Sequence, residues 1–154
     1  MAVVEAICIS HKKGTAKRPV EKAVFQADFG IKGDAHAGKW HRQVSLLAGE
    51  SIDTVKLQLP ALKDGAFAEN IVTRGMDLSA IAVGNVLQIG SGVILQITQI
   101  GKKCHNDDCA IKKATGDCIM PKEGLFARVI KGGEARVGDK IDIKKRASGT
   151  DTRL

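Results

Sequence analysis

The chain has 154 residues and a formal net charge of +7, and only 3% of its residues are aromatic. This length suits one domain that can form a core without a metal or a disulfide, and the sequence holds no apolar run long enough to span a bilayer. The N-terminus lacks the basic-then-apolar order of a signal peptide, so we expect a cytoplasmic protein whose four cysteines are thiols or ligands rather than disulfides. Because aromatic residues for base stacking are scarce, the positive charge fits an anionic small molecule better than nucleic acid.

Seventeen glycines lie between short apolar segments, which is typical of a β-rich fold. The sequence predicts strands at residues 3–10, 20–27, 43–48, 86–89, 93–100, 125–130 and 140–143. It predicts a helix over 49–59, capped by Ser51 and ended by Pro60, and a shorter helix over 106–115. The polar segment 147–154 is expected to be a disordered tail, which leaves residues 1–146 as one domain.

The first candidate site is the glycine-rich segment that precedes the predicted strand 43–48. It contains Asp34, His36, His41 and Arg42 among closely spaced glycines. The backbone N–H groups of such a loop, together with Arg42, can bind an oxyanion. The same polar residues can also simply solvate the loop, and the residue types alone leave both interpretations open.

The second candidate site is the segment 65–78, where the polar residues Glu69, Asn70 and Thr73 lie among apolar ones. Asn70 and Thr73 can form hydrogen bonds with a polar heterocycle or a phosphate. They can equally satisfy the backbone of a turn. The residue pattern by itself favours the turn.

The third candidate site is a cysteine cluster formed by Cys104, Cys109 and Cys118. Lys102 and Lys103 directly precede Cys104, and neighbouring cations raise the thiolate fraction of a cysteine. The thiolate is the form that attacks electrophiles and binds metals. Local charge therefore predicts Cys104 as the most reactive thiol of the chain.

Two other interpretations of the cysteines need consideration. The C-x4-C and C-x8-C spacings, completed by His105, His36 or His41, can bind zinc, although structural zinc sites usually contain a closer pair. Cys8 lies between Ile7 and Ile9 in the middle of a predicted strand, where packing is the simpler role.

Four segments, in this order, resemble one known family. They are GDAHAG at 33–38 followed by RQVSLL at 42–47, ENIVTRG at 69–75, a cysteine placed just after the strand at 94–99, and GLFARV at 124–129 with the turn at 137–139. Together they resemble the MOSC domain, the module named after the C-terminal part of molybdenum-cofactor sulfurases. The resemblance runs from about residue 4 to residue 143 and so covers nearly the whole chain.

The resemblance implies a mainly β fold, a closed β-barrel with short peripheral helices, and handling of the molybdenum cofactor (molybdopterin) or of its sulfur. Cys104 matches the family's cysteine that carries sulfur as a persulfide or ligates molybdenum. Lys103 stands where proline often precedes that cysteine, and the nearby Cys109 leaves open which thiol acts and allows the two to exchange sulfur. The implied cofactor-binding residues are Asp34, His36, Arg42, Asn70 and Thr73.

The resemblance leaves three functions open. The protein can bind the cofactor and carry sulfur on a reactive cysteine, with a sulfur donor as its partner. It can be a molybdenum-dependent reductase of N-hydroxylated compounds that works with separate electron-transfer proteins. It can also be a non-catalytic module that binds a metal or a partner. No pyridoxal phosphate is expected, because that chemistry belongs to a separate, larger domain of the sulfurases.

Overall fold

The computed structural model describes residues 2–13, 15–77, 80–101 and 123–144. Within these ranges the chain forms eleven strands and one helix. In chain order these are β1 (Ala2–Ile9), β2 (Arg18–Val20), β3 (Lys22–Gln26), β4 (Gly30–Ile31), β5 (Val44–Ala48), α1 (Gly49–Lys56), β6 (Ile71–Arg74), β7 (Val86–Ile89), β8 (Val93–Ile100), β9 (Leu125–Lys131), β10 (Gly133–Arg136) and β11 (Lys140–Lys144). The predicted helix at 106–115 and the predicted tail at 147–154 lie outside the described residues.

Seven of the strands close into a barrel in the order β11-β7-β8-β9-β5-β6-β1, and β1 returns to pair with β11. The closing pairs are antiparallel and join Ala2 to Ile141 and Val3 to Lys140. The β5–β6 pair is parallel, and α1 lies in the crossover that such a pair requires. The mainly β, closed-barrel fold expected from the sequence is confirmed.

The interior of the barrel is filled by aliphatic side chains from alternate positions of the strands. In β8, Val93, Leu95 and Ile97 are buried in the interior cluster, whereas Gln96 and Thr98 are only partly buried. This is the period-two alternation of a strand with one face in the core.

A second apolar layer lies outside the barrel wall, under α1. Ile52 and Val55 of the helix pack in one cluster with Leu47, Val72 and Phe126 of the strands. The wall at β5, β6 and β9 is therefore buried on both faces, which explains why β5 is apolar along its whole length.

β1 also contributes to both layers. Val4 and Ile7 belong to the interior cluster, and Ala6 and Cys8 belong to the layer under α1. The register between β1 and β6 shifts at Glu5, and this bulge resets the alternation of side chains between the two faces.

A smaller sheet, in the order β10-β3-β4, stands beside the barrel. Its Phe25, Ile31 and Ala135 are buried in the same cluster as the barrel interior. The small sheet therefore continues the core, and β4 leads directly into the glycine-rich loop at 32–43.

The predicted strands at 3–10, 43–48, 86–89, 93–100, 125–130 and 140–143 are confirmed to within one residue at each end. The predicted strand at 20–27 is wrong in its extent, because the chain bends at Glu21 and forms the end of β2 and then β3. β4, β6 and β10 were not predicted. β6 follows the turn at 65–70 and has only four residues. Two of them, Thr73 and Arg74, are polar, so its sequence does not show the apolar pattern of a buried strand.

The prediction that Ser51 caps α1 is wrong. The N-cap position is Ala48, which makes no side-chain capping bond, because β5 leads into the helix without a loop. Ser51 Oγ instead donates a hydrogen bond to Glu123 at 2.7 Å. The helix ends at Lys56, before Pro60 is reached. In the described parts of the chain, no helix has the length and apolar character needed to cross a membrane.

Candidate functional site

The glycine-rich loop is anchored from below by a buried ion pair. Lys17 Nζ lies 2.7 Å from Asp34 Oδ1, and both side chains are 0% exposed. Asp34 also accepts hydrogen bonds from the backbone N–H groups of Ser10 and His36, each at 3.1 Å. Asp34, which the sequence suggested as a cofactor ligand, is thus placed beneath the loop and fixes its conformation.

His36 connects this buried cluster to the surface. Its Nδ1 lies 2.9 Å from Lys17 Nζ, and its ring stacks on Trp40 with centroids 6.4 Å apart and planes inclined by 12°. Trp40 Nε1 donates to the carbonyl oxygen of His36 at 2.8 Å. The loop therefore presents two parallel rings in a fixed arrangement.

Arg42 lies between two aromatic side chains. Its guanidinium carbon is 4.9 Å from the ring centroid of Trp40 and 5.7 Å from that of Phe126. The side chain of Lys13 reaches the same tryptophan, with Nζ 5.2 Å from the centroid. Contacts of this kind hold a cation through the ring quadrupole. The Nε of Arg42 is buried and has no hydrogen-bond partner among the described residues.

These side chains line a pocket of about 200 Å³ on the outer face of the barrel wall. Two cations and four rings, one of them that of Phe67, line it together with Ser45 of β5 and Ala68. The residues that matter for binding are Lys13, His36, Trp40, Arg42, Ser45 and Phe126. Its combination of hydrogen-bond donors, positive charge and flat apolar surfaces suits an anionic group attached to a planar heterocycle.

Asn70 lies one layer behind this pocket and is fully buried. Its Oδ1 accepts from the backbone N–H of Ser45 at 2.9 Å, and its Nδ2 donates to the carbonyl oxygen of Cys8 at 3.0 Å. The amide therefore joins β5, β6 and β1, and it reaches the pocket only through Ser45. Its predicted contact with a ligand stays a prediction.

Thr73 is placed on the other face of the wall. It is fully buried, and it follows Val72, which belongs to the layer under α1, so that alternation turns Thr73 toward the barrel interior. Its Oγ1 has no hydrogen-bond partner in the described part of the chain, and Thr73 does not line the pocket. The structure therefore brings His36 and Arg42 to one pocket, with Asn70 behind it and Thr73 apart from it.

A buried carboxylate shapes the loop that forms the pocket floor. Glu69 is 0% exposed, and its two oxygens accept from the backbone N–H groups of Gly65 and Phe67 at 2.8 and 2.9 Å. Burial raises the pKa of this carboxyl, and the two backbone hydrogen bonds oppose that rise. Gly65 has φ of +93°, and a Cβ there would come within 2.0 Å of the Lys17 carbonyl oxygen, so this position requires glycine.

Cys8 lies beneath the same loop and is unsuited to thiol chemistry. It is 0% exposed, and burial raises its pKa to about 12, with further contributions from Glu69 and Asp64 that Lys17 partly opposes. The prediction that Cys8 packs in the core is confirmed. Cys104, Cys109 and Cys118 lie outside the described residues, as does His105. Within the described residues, no group of three or more His, Cys, Asp or Glu side chains is arranged to hold a metal ion.

A second, open groove of about 620 Å³ begins at Trp40, which lines both hollows. Its basic residues are Lys39, His41 and Arg128. His41 Nε2 lies 2.9 Å from Gln99 Oε1, which ties the loop to the end of β8. The tryptophan thus separates a compact cationic pocket from a wider basic groove.

The sequence did not predict the pocket residues Lys13, Trp40 and Phe126, nor the buried Lys17 beneath the loop. Trp40 is the sole tryptophan of the chain and lies two residues from Arg42, which is a signal that could have identified it. Nothing in the local pattern at Lys17 distinguishes it from the neighbouring surface lysines, because its role depends on pairing with Asp34 across the fold.

The described architecture is that of known barrel proteins. The structure is similar to the YuaD protein from Bacillus subtilis, with a TM-score of 0.76 and 20% identity, covering 94% of this chain and 97% of that one. It is also similar to YiiM from Geobacillus stearothermophilus, with a TM-score of 0.70 and 16% identity over 97% of this chain and 78% of that one. A third similar structure is YiiM from Escherichia coli, with a TM-score of 0.63 and 19% identity. That match covers 97% of this chain and 73% of that one. At these identities the likeness establishes the fold.

The sequence establishes the family. The MOSC domain model matches residues 33–142, and this chain belongs to the MOSC domain family. It is also 26% identical over 141 residues to a reductase from Gibberella moniliformis, a match that covers 84% of this chain and 25% of that protein. The chain thus spans about a quarter of the length of that relative. Family and relative together support a domain generally associated with the molybdenum cofactor.

Proposed function

We propose that this protein binds the molybdenum cofactor in the pocket around Arg42 and carries sulfur, or ligates the metal, through Cys104. The proposal extends the general association of the family with this cofactor to named residues. We expect the protein to act in the cytoplasm, where thiols stay reduced.

The observation that carries the proposal is the unsatisfied hydrogen-bond donor of Arg42. Its Nε is buried and has no partner among the described residues, while the rings of Trp40 and Phe126 fix the plane of the guanidinium. A buried donor without an acceptor is costly, and an incoming oxyanion would remove that cost. Because the side chain is already held, little rotamer freedom is lost on binding.

The donor set of the pocket fits the proposed ligand. Arg42 and Lys13 would hold a phosphate, and the stacked rings of Trp40 and His36 offer a flat surface of the kind that accommodates a pterin. The pocket of about 200 Å³ suits a head group, and the basic groove beyond Trp40 can take the rest of the molecule. When bound, the cofactor would supply the metal centre for reductive chemistry.

The role of Cys104 rests on sequence. A soft thiolate suits both molybdenum and sulfane sulfur, and Lys102 and Lys103 favour the thiolate. In sulfur loading, the Cys104 thiolate would attack the outer sulfur of a donor persulfide, form a new S–S bond and release the donor thiolate, with no net redox change. Cys109 would then serve as the thiol that accepts or returns this sulfur.

The test uses protein purified from a host grown with molybdate, and it compares the wild type with Arg42→Met. Bound pterin is measured by fluorescence after oxidation, bound molybdenum by elemental analysis, and sulfur on Cys104 by peptide mass. We expect pterin in the wild type and a loss of about tenfold or more in the variant, the value of one charge-assisted contact. Arg136→Met, which removes an exposed arginine paired with Glu134, is the matched control. Wild-type protein without pterin, or equal pterin in both variants, would overturn the proposal.

A second function is favoured by the relation to the Gibberella moniliformis reductase. In this case the bound cofactor would support reduction of an N-hydroxylated substrate, with electrons delivered by a separate protein. The discriminating experiment supplies reduced methyl viologen and a hydroxylated purine to the cofactor-loaded protein. Turnover that is lost in Cys104→Ser would favour the reductase, whereas sulfur loading without turnover would favour the carrier.

A further inference from the structure

Ala68, which lines the pocket, has a backbone conformation that glycine adopts far more readily than alanine. Its φ is +63°, in the left-handed region, where the Cβ of an L-residue crowds the carbonyl oxygen that follows it. Among the residues that the structure describes, Asp28 is the other non-glycine residue with a positive φ, and the short polar side chain of an aspartate can compensate through local hydrogen bonds. A methyl group offers no such compensation, so Ala68 itself does not relieve the strain.

Hydrogen bonds on both sides of Ala68 maintain this conformation. Its N–H donates to the carbonyl oxygen of Gly65 at 2.9 Å, and its own carbonyl oxygen accepts from the hydroxyl of Ser45 at 3.3 Å. The Glu69 carboxylate, which accepts from the N–H groups of Gly65 and Phe67, holds the rest of the loop. A strained residue persists where its surroundings over-determine it, and such residues concentrate at ligand sites.

The surface that Ala68 offers to the pocket is apolar. Because its N–H and carbonyl groups bind within the protein, its Cα and methyl are what remains to meet a ligand. Phe67 lines the pocket beside it, whereas the positive charge comes from Lys13 and Arg42, which contact Trp40. The pocket therefore has a cationic part and an apolar part, and Ala68 belongs to the apolar part.

We propose that Ala68 is a specificity-determining residue, whose methyl contacts the uncharged planar part of an anionic heterocycle bound in the pocket. The inference rests on the proposed function in taking the ligand to be an anion attached to a flat ring. Glycine would fit the backbone here without strain, so the alanine lowers the stability of the loop and adds apolar surface to the pocket. A difference of one methyl in an apolar pocket changes affinity by about tenfold or more.

The experiment compares the wild type with three variants. Ala68→Gly removes the methyl and tolerates the positive φ. Ala68→Asn also tolerates this φ, but its larger side chain fills part of the pocket. Ala82→Gly is the matched control, because Ala82 is exposed, has no positive φ and does not line the pocket.

The stability of the two glycine variants should change in opposite directions. Ala68→Gly relieves strain and should raise the melting temperature by about 2–4 °C. Ala82→Gly, at an ordinary φ, should lower it, because glycine gains more conformational freedom on unfolding. A lower melting temperature in both variants would overturn the strain on which the inference depends.

Binding is measured by isothermal titration calorimetry with two probes. Inorganic phosphate needs only the cations, whereas 6-carboxypterin is a flat heterocycle with an anionic group. We expect the wild type and Ala82→Gly to bind 6-carboxypterin more tightly than phosphate. Ala68→Gly should bind 6-carboxypterin about tenfold more weakly than the wild type, and Ala68→Asn should lose it, with phosphate binding unchanged in both.

Three results would overturn the inference. They are unchanged 6-carboxypterin affinity in Ala68→Gly or Ala68→Asn, a parallel loss of phosphate affinity in these variants, and a wild type that binds 6-carboxypterin no better than phosphate. The proposed function is judged separately, by the pterin that the protein carries after growth with molybdate. A protein that behaves as expected with both probes but carries no pterin would count against the proposed function alone.

Discussion

Ser45 and Asn70 bind each other reciprocally, since the side chain of each accepts a hydrogen bond from the backbone N–H of the other, at 3.0 and 2.9 Å. Ser45 lines the pocket on β5, and Asn70 directly precedes β6. The pair therefore sets the position of the pocket wall relative to the loop before β6. Replacing either side chain removes the hydrogen bond that it accepts from the backbone N–H of the other residue.

Asn70→Ala should destabilise the fold strongly. The change leaves the buried N–H of Ser45 and the carbonyl of Cys8 without their side-chain partner, at a cost of about 1–3 kcal/mol for each unsatisfied group. Urea unfolding followed by circular dichroism measures the loss. Asn85→Ala is the control and should cost far less, because the side-chain oxygen of Asn85 accepts from the backbone N–H of Ala82 in an exposed turn. Equal stability of the two variants would contradict this account.

The fluorescence of Trp40 should report on anion binding. It is the sole tryptophan of the chain, and its ring contacts Arg42 and Lys13. An anion that engages these cations changes their contact with the ring. Pyrophosphate titration should therefore shift the emission of the wild type, and the half-saturation point should rise about tenfold in Arg42→Met. Glu134→Gln, on the exposed face of β10, should titrate like the wild type.

Cys8 should remain unmodified by alkylating reagents while the protein is folded. Burial raises its pKa to about 12, so the thiolate fraction near neutral pH is minute and access is blocked. A time course with iodoacetamide, read by peptide mass, should label Cys104 first and Cys8 only after urea is added. Early labelling of Cys8 would mean that the loop over it opens readily.

The pH dependence of stability should reveal Glu69. Burial raises its folded pKa above the unfolded value, so its contribution is fully present below the unfolded pKa of about 4.5 and is lost as pH rises through the folded pKa. Glu69→Gln should therefore gain stability relative to the wild type as pH rises from 4 to about 7.

Asp53 provides a comparison of opposite sign. A hydrogen bond from Arg74 lowers its pKa, so its contribution is present above the unfolded pKa and is lost as pH falls through the folded one. Asp53→Asn should lose stability relative to the wild type as pH rises through the unfolded pKa of 3.8, which lies below the window in which Glu69 acts. Urea unfolding at several pH values checks both changes, and trends of the same sign in the two variants would rule out this assignment.

Gly49→Ala should destabilise the protein although alanine favours helices. An added Cβ would lie 2.6 Å from Glu5 Oε2 and 3.0 Å from the carbonyl oxygen of Thr73, and the latter belongs to the backbone of β6. Such overpacking typically costs about 1–3 kcal/mol, more than the propensity gain of about 1 kcal/mol. Gly92→Ala, whose Cβ would meet no atom within 4 Å, is the matched control. Thermal unfolding distinguishes the two.

The sequence predicted correctly those strands whose burial shows in the local alternation of apolar and polar residues. The alternation of Val93, Leu95 and Ile97 predicted β8 correctly, because one face of that strand is buried. By contrast, β6 contains Thr73, a buried polar residue, and nothing in the local sequence shows that the chain has entered the barrel wall. The predicted Ser51 cap was wrong for a similar reason, since the start of α1 is set by β5, which leads directly into it.

For the site, the sequence predicted Arg42 and His36 in one loop, and the structure places both at one pocket. It did not predict Lys17, because a lysine that pairs with Asp34 17 residues later has no distinguishing local pattern. The role of Cys104 stays a prediction from sequence. Site residues that share one loop could therefore be predicted from the sequence. A residue such as Lys17, whose role depends on a partner elsewhere in the fold, could not.

The pairing of β1 with β11 has a consequence for how this barrel can be built into larger proteins. Because Ala2 and Ile141 are neighbours across that pair, a chain that enters at β1 leaves close to where it came in. A domain with adjacent entry and exit points can be added to, or inserted within, another polypeptide without separating the flanking segments. The same geometry makes the barrel a candidate for circular permutation, with the old ends joined by a short linker and new ends opened at an exposed turn such as the one before β8.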